Sequence, residues 1–365
     1  MGSRVIISGG GTGGHIFPAV SIANALKKLD STIEILFVGA KGRMEMEKVP
    51  AAGYTIVGLP VAGFQRRITF ENVTFFFKLA SSLWKARKIV RQFKPDAVVG
   101  VGGYASGPML RTAAGKGIPT LIQEQNSYAG VTNKLLAKKA SKICVAYDGM
   151  EKYFPAGKII FTGNPIRQDL ENIQSKREEA IRFFNLDPKK KTILSLGGSL
   201  GARTINNCIA GQLGTIASSD VQLIWQCGKI YHAEASGQLK NVTTDNIRLY
   251  DFISRMDLAY AAADVIISRA GAGSISELCM VGKPVILVPS PNVAEDHQTK
   301  NALALVNKGA ALLVRDNEAS QKLIGEAMRL IGNDAESRNL AAGIVKLATR
   351  DSAKTIAEEI LKLMK

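Results

Sequence analysis

Two apolar runs, each followed at once by a glycine cluster and then by a helical pattern, constrain this chain more than any other feature. The first is Arg4-Val5-Ile6-Ile7-Ser8, then the glycine-rich residues 9–14, then a helical spacing through Ala19, Ile22, Ala23 and Leu26. The second is residues 191–196, then Gly197-Gly198-Ser199-Leu200-Gly201, then Ile205 and Ile209. Strand, tight glycine turn and helix make the opening of a βαβ unit. Strand-length apolar runs follow at helix-length intervals, at 33–38, 54–59, 97–101 and 119–122, and again at 221–225, 247–250, 265–267 and 284–288. The alternation predicts an α/β chain with two Rossmann-like, doubly wound parallel sheets, whose ligands bind at the loops after the strands, around a cleft. A length of 365 residues suits two such domains. The seam is expected at Gly163-Asn164-Pro165, giving domains 1–163 and 164–365, with a last helix at about 351–365 able to pack back on the first domain.

Charge is the second constraint. The chain carries 47 Lys+Arg against 31 Asp+Glu, a net +16 that calls for an anionic partner. Residues 1–165 hold 22 basic and 9 acidic side chains, a net +13, and the remainder only +3, so the excess belongs to one domain. Hydrophobic content of 46% with 21% charge excludes a disordered chain. Cys144, Cys208, Cys227 and Cys279 are too far apart for a zinc ribbon or a disulfide framework and read as reduced thiols. No apolar run approaches the roughly 18–20 residues that cross a bilayer. The N-terminus runs straight into the first strand rather than resembling a signal peptide, so a cytoplasmic protein is expected.

Much of the positive charge lies at 64–94. Phe64, Phe70, Phe75, Phe76, Phe77, Leu79, Leu83 and Trp84 alternate there with Arg66, Arg67, Lys78, Lys85, Arg87, Lys88, Arg91 and Lys94, opposed by Glu71 alone. From 72 to 93 the pattern is helical, with Phe76, Leu79, Leu83 and Val90 on one face and Phe75, Phe77 and Trp84 off it. Surplus aromatics among basic residues suit an anionic lipid surface, with Phe75, Phe76, Trp84, Lys85 and Lys88 as contacts. A core helix with a solvated basic face accounts for about half of them. No nucleic-acid module is recognisable, so nucleic acid is not expected as a partner.

The glycine loops carry the chemistry. Gly9, Gly11 and Gly14 satisfy G-x-G-x-x-G, yet the second strand ends in Gly39-Ala40 without the carboxylate that holds a dinucleotide ribose, and no Gly-Lys-Ser/Thr marks a P-loop. What remains is a backbone-lined turn at a helix N-terminus, open to a diphosphate or a polar headgroup, or simply a tight turn. His15, one of three histidines, follows it and is a candidate base; a lone histidine is more often structural. Gly102-Gly103-Tyr104-Ala105-Ser106-Gly107-Pro108 and Gln123-Glu124-Gln125-Asn126 follow two further strands of the same half, a polar cluster suited to a sugar or peptide headgroup. In the second half, Ser199 lies in the glycine turn, and Ala272, Gly273, Ser274, Ile275, Ser276 and Glu277 follow another strand. Glu277 is expected in the first turn of its helix, as a dipole-stabilising carboxylate or as a ribose ligand. Glu295-Asp296-His297-Gln298 lies on a further loop of that edge. No acidic pair has D-x-D character, so neither an essential metal nor another cofactor is expected.

In order along the chain these motifs are G-G-T-G-G-H-x-F-P at 10–18, G-G-Y-x-S-G-P at 102–108, E-Q-N at 124–126, G-N-P-x-R at 163–167, G-G-S-x-G-A at 197–202, Asp251-Phe252-Ile253, and S-x-S-E at 274–277. Together they resemble the MurG family of glycosyltransferases, two-domain GT-B enzymes. The resemblance implies inverting transfer of N-acetylglucosamine from UDP-GlcNAc to the C4 hydroxyl of the muramyl-pentapeptide lipid I, giving lipid II at the cytoplasmic face of the membrane. It implies that Thr12, Gly13, Gly14 and Asn126 approach the transferred sugar and acceptor, and that Arg167 and Ser199 lie near the diphosphate. It further assigns Ile253 to uracil, Glu277 to the ribose and Gln298 to the GlcNAc hydroxyls; His297-Gln298 stands where some relatives have paired glutamines. His15 is then the candidate base, with Glu124 next. The rival readings are a GT-B enzyme with another lipid acceptor, such as diacylglycerol, an NAD-dependent oxidoreductase lacking its ribose carboxylate, and a non-catalytic lipid- or nucleic-acid-binding protein.

Overall fold

The computed structural model describes residues 2–61, 71–166, 170, 173–198, 201–293 and 296–364, with the backbone alone at 71–76. The chain divides into two compact units, Met1–Arg167 with Thr349–Lys365, and Gln168–Ala348.

In the first unit β1 (Arg4–Ser8), β2 (Glu34–Ala40), β3 (Thr55–Leu59), β4 (Ala97–Gly100), β5 (Thr120–Glu124), β6 (Lys142–Val145) and β7 (Ile159–Phe161) form one sheet in the order 3-2-1-4-5-6-7. All pairs are parallel, with Val5 opposite Ile35 on one side and Ala97 on the other. Parallel strands covered on both faces need apolar side chains in both directions. Successive residues accordingly enter different cores: Val5, Ile7, Ala97, Val99, Leu121 and Cys144 on one face, Ile6, Val98, Ile122, Ile143 and Val145 on the other. Helix Gly13–Leu29 covers the first face through Ile16, Ala19, Ile22, Ala23 and Leu26. The final helix, Ser352–Leu363, covers it too, through Ala353, Ile356, Ala357 and Ile360 at i, i+3, i+4, i+7.

The second unit contains β8 (Lys191–Leu196), β9 (Val221–Gln226), β10 (Ile247–Tyr250), β11 (Val265–Ser268), β12 (Val285–Leu287) and β13 (Leu312–Leu313), again all parallel, in the order 10-9-8-11-12-13. Ile193, Leu223, Trp225, Val265, Ile267 and Ile286 pack under helices Arg203–Ala210 and Ala319–Gly332. Both units are thus Rossmann-like, and in both the chain reverses its strand order beside the first strand, between β1 and β4 and between β8 and β11. The diverging loops at such a point open a crevice at the carboxyl edge. The four cysteines are buried free thiols, and burial pushes Cys144 and Cys279 up to about 12. Among the described residues no helix is long and apolar enough to cross a membrane.

Candidate active site

In the first unit the loops after β1, β4 and β5 interlock through their glycines. Gly102 and Gly103 have φ of +92° and +82°, a region that favours glycine. A Cβ on Gly103 would collide with the Gly10 carbonyl, and one on Gly102 would lie 2.7–2.8 Å from Cδ2 and Nε2 of His15. The Ser106 hydroxyl reaches the carbonyls of Ser8 (2.9 Å) and Gly102 (2.8 Å), and Gln125 Nε2 donates to the Val101 carbonyl at 2.7 Å. Gln123 Nε2 donates to Asn164 Oδ1 and Asn164 Nδ2 to the Gln125 carbonyl, each at 3.0 Å, tying the Gly163-Asn164-Pro165 segment to the same edge.

His15 is the third residue of helix Gly13–Leu29, on the edge where these loops meet. Its Nδ1 lies 3.0 Å from the Gly10 carbonyl and 3.2 Å from the Thr12 hydroxyl. A carbonyl oxygen can only accept, so Nδ1 carries the hydrogen and Nε2 is the basic nitrogen of the neutral ring. Thr12 and Gly14 are exposed and Gly13 half-buried on the same turn.

Glu124, 2% exposed at the end of β5, accepts four hydrogen bonds. They come from Asn126 N (3.1 Å) and Nδ2 (3.3 Å) on one oxygen, and from Gly130 N and Asn133 Nδ2, both 2.9 Å, on the other. Both carboxylate oxygens are thus taken up by N–H donors of the loop that follows. Its geometry is that of a brace setting the position of Asn126.

Glu45 escaped the sequence reading. It opens helix Glu45–Ala51, one turn beyond the carboxylate-free end of β2, and it is 1% exposed. Its oxygens accept from Gly11 N at 3.0 Å and Ala40 N at 2.8 Å. The Glu45 carboxyl therefore already occupies the Gly11 N–H, and a diphosphate at Gly11 would have to displace it. Of the two ligands the sequence left open there, the polar headgroup is the one this geometry favours. Asn133 and Asn164 were missed likewise: Asn133 meets Glu124 from the next helix, and the partners of Asn164 lie about 40 residues away.

In the second unit, Gly197 and Gly201 bring the turn after β8 against the carbonyls of Gln226 and Cys227, where a Cβ would collide. Helix Ala272–Val281 starts at Ala272, directing the N–H groups of Ala272, Gly273 and Ser274 to the same carboxyl edge, while Ile275 is buried and the Ser276 hydroxyl turns back to the Ala272 carbonyl. Glu277 is the sixth residue of this helix. The expectation of a first-turn position is corrected, and with it the reading of Glu277 as a dipole-stabilising cap. The Tyr260 hydroxyl donates to Glu277 Oε2 at 3.0 Å. Arg269 ties several loops of this edge together through the carbonyls of Val288 and Pro289 and through Asp316, which also accepts from Thr204. Gln298 lies in the first turn of helix His297–Val306, where its Oε1 accepts from Ser290 N at 2.8 Å, so its amide N–H groups are the end suited to a sugar hydroxyl. A cavity of about 230 Å³ adjoins it, lined by Pro289, Pro291, Asp296, Thr299, Arg315 and Asp316. Ile253 is buried just after β10. Arg167 and Ser199 lie outside the described residues.

Helix Glu71–Phe93 packs through Ser82, Ala86, Ile89 and Val90, leaving Phe77 (73% exposed) and Trp84 (66%) outside with Arg87, Lys88 and Arg91. Leu79, expected on the core face, is 36% exposed. Lys88 Nζ lies 5.9 Å from the Trp84 ring centroid. Lys85, expected to face lipid, instead donates to the Gly58 carbonyl at 2.6 Å. The side chains of Phe75 and Phe76 lie outside the described residues.

Comparison with known proteins gives concordant matches. Residues 5–145 match the glycosyltransferase family 28 N-terminal domain and residues 192–360 its C-terminal domain. The UDP-N-acetylglucosamine--N-acetylmuramyl-(pentapeptide) pyrophosphoryl-undecaprenol N-acetylglucosamine transferase of Parabacteroides distasonis is 63% identical over 361 residues, 99% of this chain and 98% of the relative. The enzyme of the same name from Bacteroides fragilis is 64% identical over 362 residues, covering 99% and 95%. The crystal structure of Acinetobacter baumannii MurG aligns with a TM-score of 0.79 at 27% identity over 99% of each chain.

Proposed function

The chain belongs to the MurG family of glycosyltransferases, within glycosyltransferase family 28, and from that premise we infer that it transfers N-acetylglucosamine from UDP-GlcNAc to the muramyl-pentapeptide pyrophosphoryl-undecaprenol acceptor. The observation that carries this is identity above 60% along essentially the whole length of relatives bearing that name. The products are UDP and the disaccharide lipid, lipid II.

Each unit takes one substrate. The second unit holds UDP-GlcNAc: Ile253 at the uracil, Glu277 at the ribose, Ala272, Gly273, Ser274, Ile275 and Ser276 as the helix N-terminus facing the diphosphate, Arg167 and Ser199 beside it, and Gln298 at the sugar. The first unit takes the acceptor at Thr12, Gly13, Gly14 and Asn126. His15 Nε2 removes the proton of the C4 hydroxyl as that oxygen bonds to the anomeric carbon from the face opposite the diphosphate. The bond from that carbon to the diphosphate oxygen breaks, its electron pair leaves with UDP, and configuration inverts. Backbone N–H groups and the dipole at the N-terminus of helix Ala272–Val281 stabilise the charge growing on the leaving group. Glu124, its oxygens engaged by four N–H donors, braces Asn126.

The acceptor is a lipid, so the enzyme works as a peripheral protein at the cytoplasmic face of the membrane. The basic, aromatic face of helix Glu71–Phe93 supports docking on anionic lipid headgroups. A UDP-release assay with UDP-GlcNAc and lipid I, beside UDP-GalNAc as control, tests the reaction. Release at the acceptor-free background would refute the assignment. Removing a general base costs about 10²–10⁴-fold in rate, so His15→Ala is expected to fall in that range with UDP-GlcNAc binding retained; near-normal turnover would place the base elsewhere.

A further inference from the structure

The Gly10 carbonyl and the Gly11 N–H are the two ends of a single peptide group. Glu45 accepts the N–H end at 3.0 Å, and His15 Nδ1–H donates to the carbonyl end at 3.0 Å. We propose that Glu45 is a positioning residue for the transfer: through the Gly10–Gly11 peptide it holds His15 in the Nδ1–H tautomer and stabilises the imidazolium formed when Nε2 takes the acceptor proton. The proposal rests on the reading of His15 as the base.

Four features of the site support it. A peptide group is planar, so fixing its N–H end fixes the direction of its carbonyl. A carboxylate on the N–H is a charge-assisted acceptor, and hydrogen bonds in series polarise one another, making the carbonyl a better acceptor for an imidazolium N–H. Burial of Glu45 keeps water from screening the effect. Finally, the arrangement requires glycine at Gly10, with φ of +143°, where a Cβ would collide with the Glu45 carboxylate. The second oxygen of Glu45, anchored on Ala40 N, ties the relay to the end of β2.

The charged groups around His15 can be named element by element. On helix Glu45–Ala51, Glu47 and Lys48 are exposed and only Glu45 is buried at the loop. The final helix packs against the helix of His15 through Ala353, Ile356, Ala357 and Ile360, while its Glu358 and Glu359 pair with Lys354 and Lys362. β1 contributes Val5 and Ile7, and the loop after β4 brings Gly102. Among the described residues, Glu45 is the carboxylate hydrogen-bonded to the peptide whose carbonyl meets His15 Nδ1.

The chain has three histidines, His15, His232 and His297, so ¹⁵N-histidine NMR of the intact protein, with His15→Ala for assignment, reads the tautomer without altering Glu45. The Nδ1–H form is expected for neutral His15; an Nε2–H form overturns the relay. Kinetics of Glu45→Gln give the second reading. The relay predicts at least a tenfold loss of kcat, a UDP-GlcNAc KM within twofold of the parent, and an acidic limb of the pH–kcat profile moved to lower pH. In a His15→Ala background the same substitution should cost less than twofold, because coupled residues are not additive. Equal losses in both backgrounds, or an unmoved acidic limb, would make Glu45 merely structural and overturn the proposal. Failure of the base reading is distinct: it is normal turnover of His15→Ala, whatever Glu45→Gln does. If Glu45→Gln does not fold, the tautomer of the unaltered protein decides.

Discussion

At Gly103 the demands of backbone and site coincide. Its φ of +82° and its closeness to the Gly10 carbonyl leave no place for a methyl group. Gly103→Ala is expected to cost about 1–3 kcal/mol in backbone strain alone, and to push the loop after β4 off the loop carrying His15. Turnover should fall at least tenfold while UDP-GlcNAc binding, proposed for the other unit, is unchanged; unaltered kcat would show that contact between these loops is dispensable. Tyr260→Phe probes the donor side by removing a hydroxyl that donates to Glu277 Oε2. A hydrogen bond to a charged group is worth about 1.5–3 kcal/mol when buried. Glu277 is half-buried, so a roughly three- to tenfold rise in UDP-GlcNAc KM at near-constant kcat is expected, and an unchanged KM would remove Tyr260 from the donor site. Residue by residue, the glycines were legible because a tight turn after a strand demands them, and the place of His15 at the start of the next helix followed from theirs. Glu45 was not legible. The sequence shows a missing strand-end carboxylate, whereas only the fold returns one from the next helix.

Helix Glu71–Phe93 shows what periodicity reads and what it misses. Its helical repeat and surplus of aromatics are plain in the sequence, yet the face that packs is made of Ser82, Ala86, Ile89 and Val90, with Leu79 partly outside. Small residues let this helix lie close against helix Ser106–Ala114, its neighbour over the sheet. The packed stripe is thus Ser82, Ala86, Ile89 and Val90 at i, i+4, i+7 and i+8, which keeps Val90 inside as expected and leaves Leu79 36% exposed. That outward face gives the docking prediction its content. Phe77→Ser combined with Trp84→Ser should reduce co-sedimentation with anionic vesicles more than tenfold, since burying one large apolar side chain is worth about 1.5–3 kcal/mol. Phe183→Ser, an exposed phenylalanine of the other unit, should have no effect. Raising the salt should also weaken binding, because surface charges are screened beyond about 10 Å at 0.1 M and about 3 Å at 1 M. Undiminished binding of the double variant would move the membrane contact off this helix.

Across the whole molecule, the two parallel sheets were readable because each strand is a short apolar run and each crossover a helix-length segment. The last helix, expected from the sequence to be able to pack back on the first domain, takes that place through long-range packing. Ser352–Leu363 carries its apolar stripe back across a complete second unit to the core around Ile16 and Ile22. The first unit therefore cannot complete its core until the final residues of the chain are present. Ile356 and Ile360 are wholly buried, and at about 1.5–3 kcal/mol for each such side chain they form a large fraction of the 5–15 kcal/mol that typically stabilises a domain. A chain ending at residue 348 should lose amide-exchange protection in β1, β4 and β5 while β8, β9 and β11 keep theirs. Ile356→Ala, which leaves the helix in place, should cost about 2–5 kcal/mol, confined to the first unit. It should leave UDP-GlcNAc binding intact while lowering the temperature at which transfer fails, by about 2–4 °C per kcal/mol for a unit of this size. Equal loss of protection in both sheets would mean that the last helix stabilises the chain as a whole, and full protection in β1 after truncation would mean that the first unit closes its core without it.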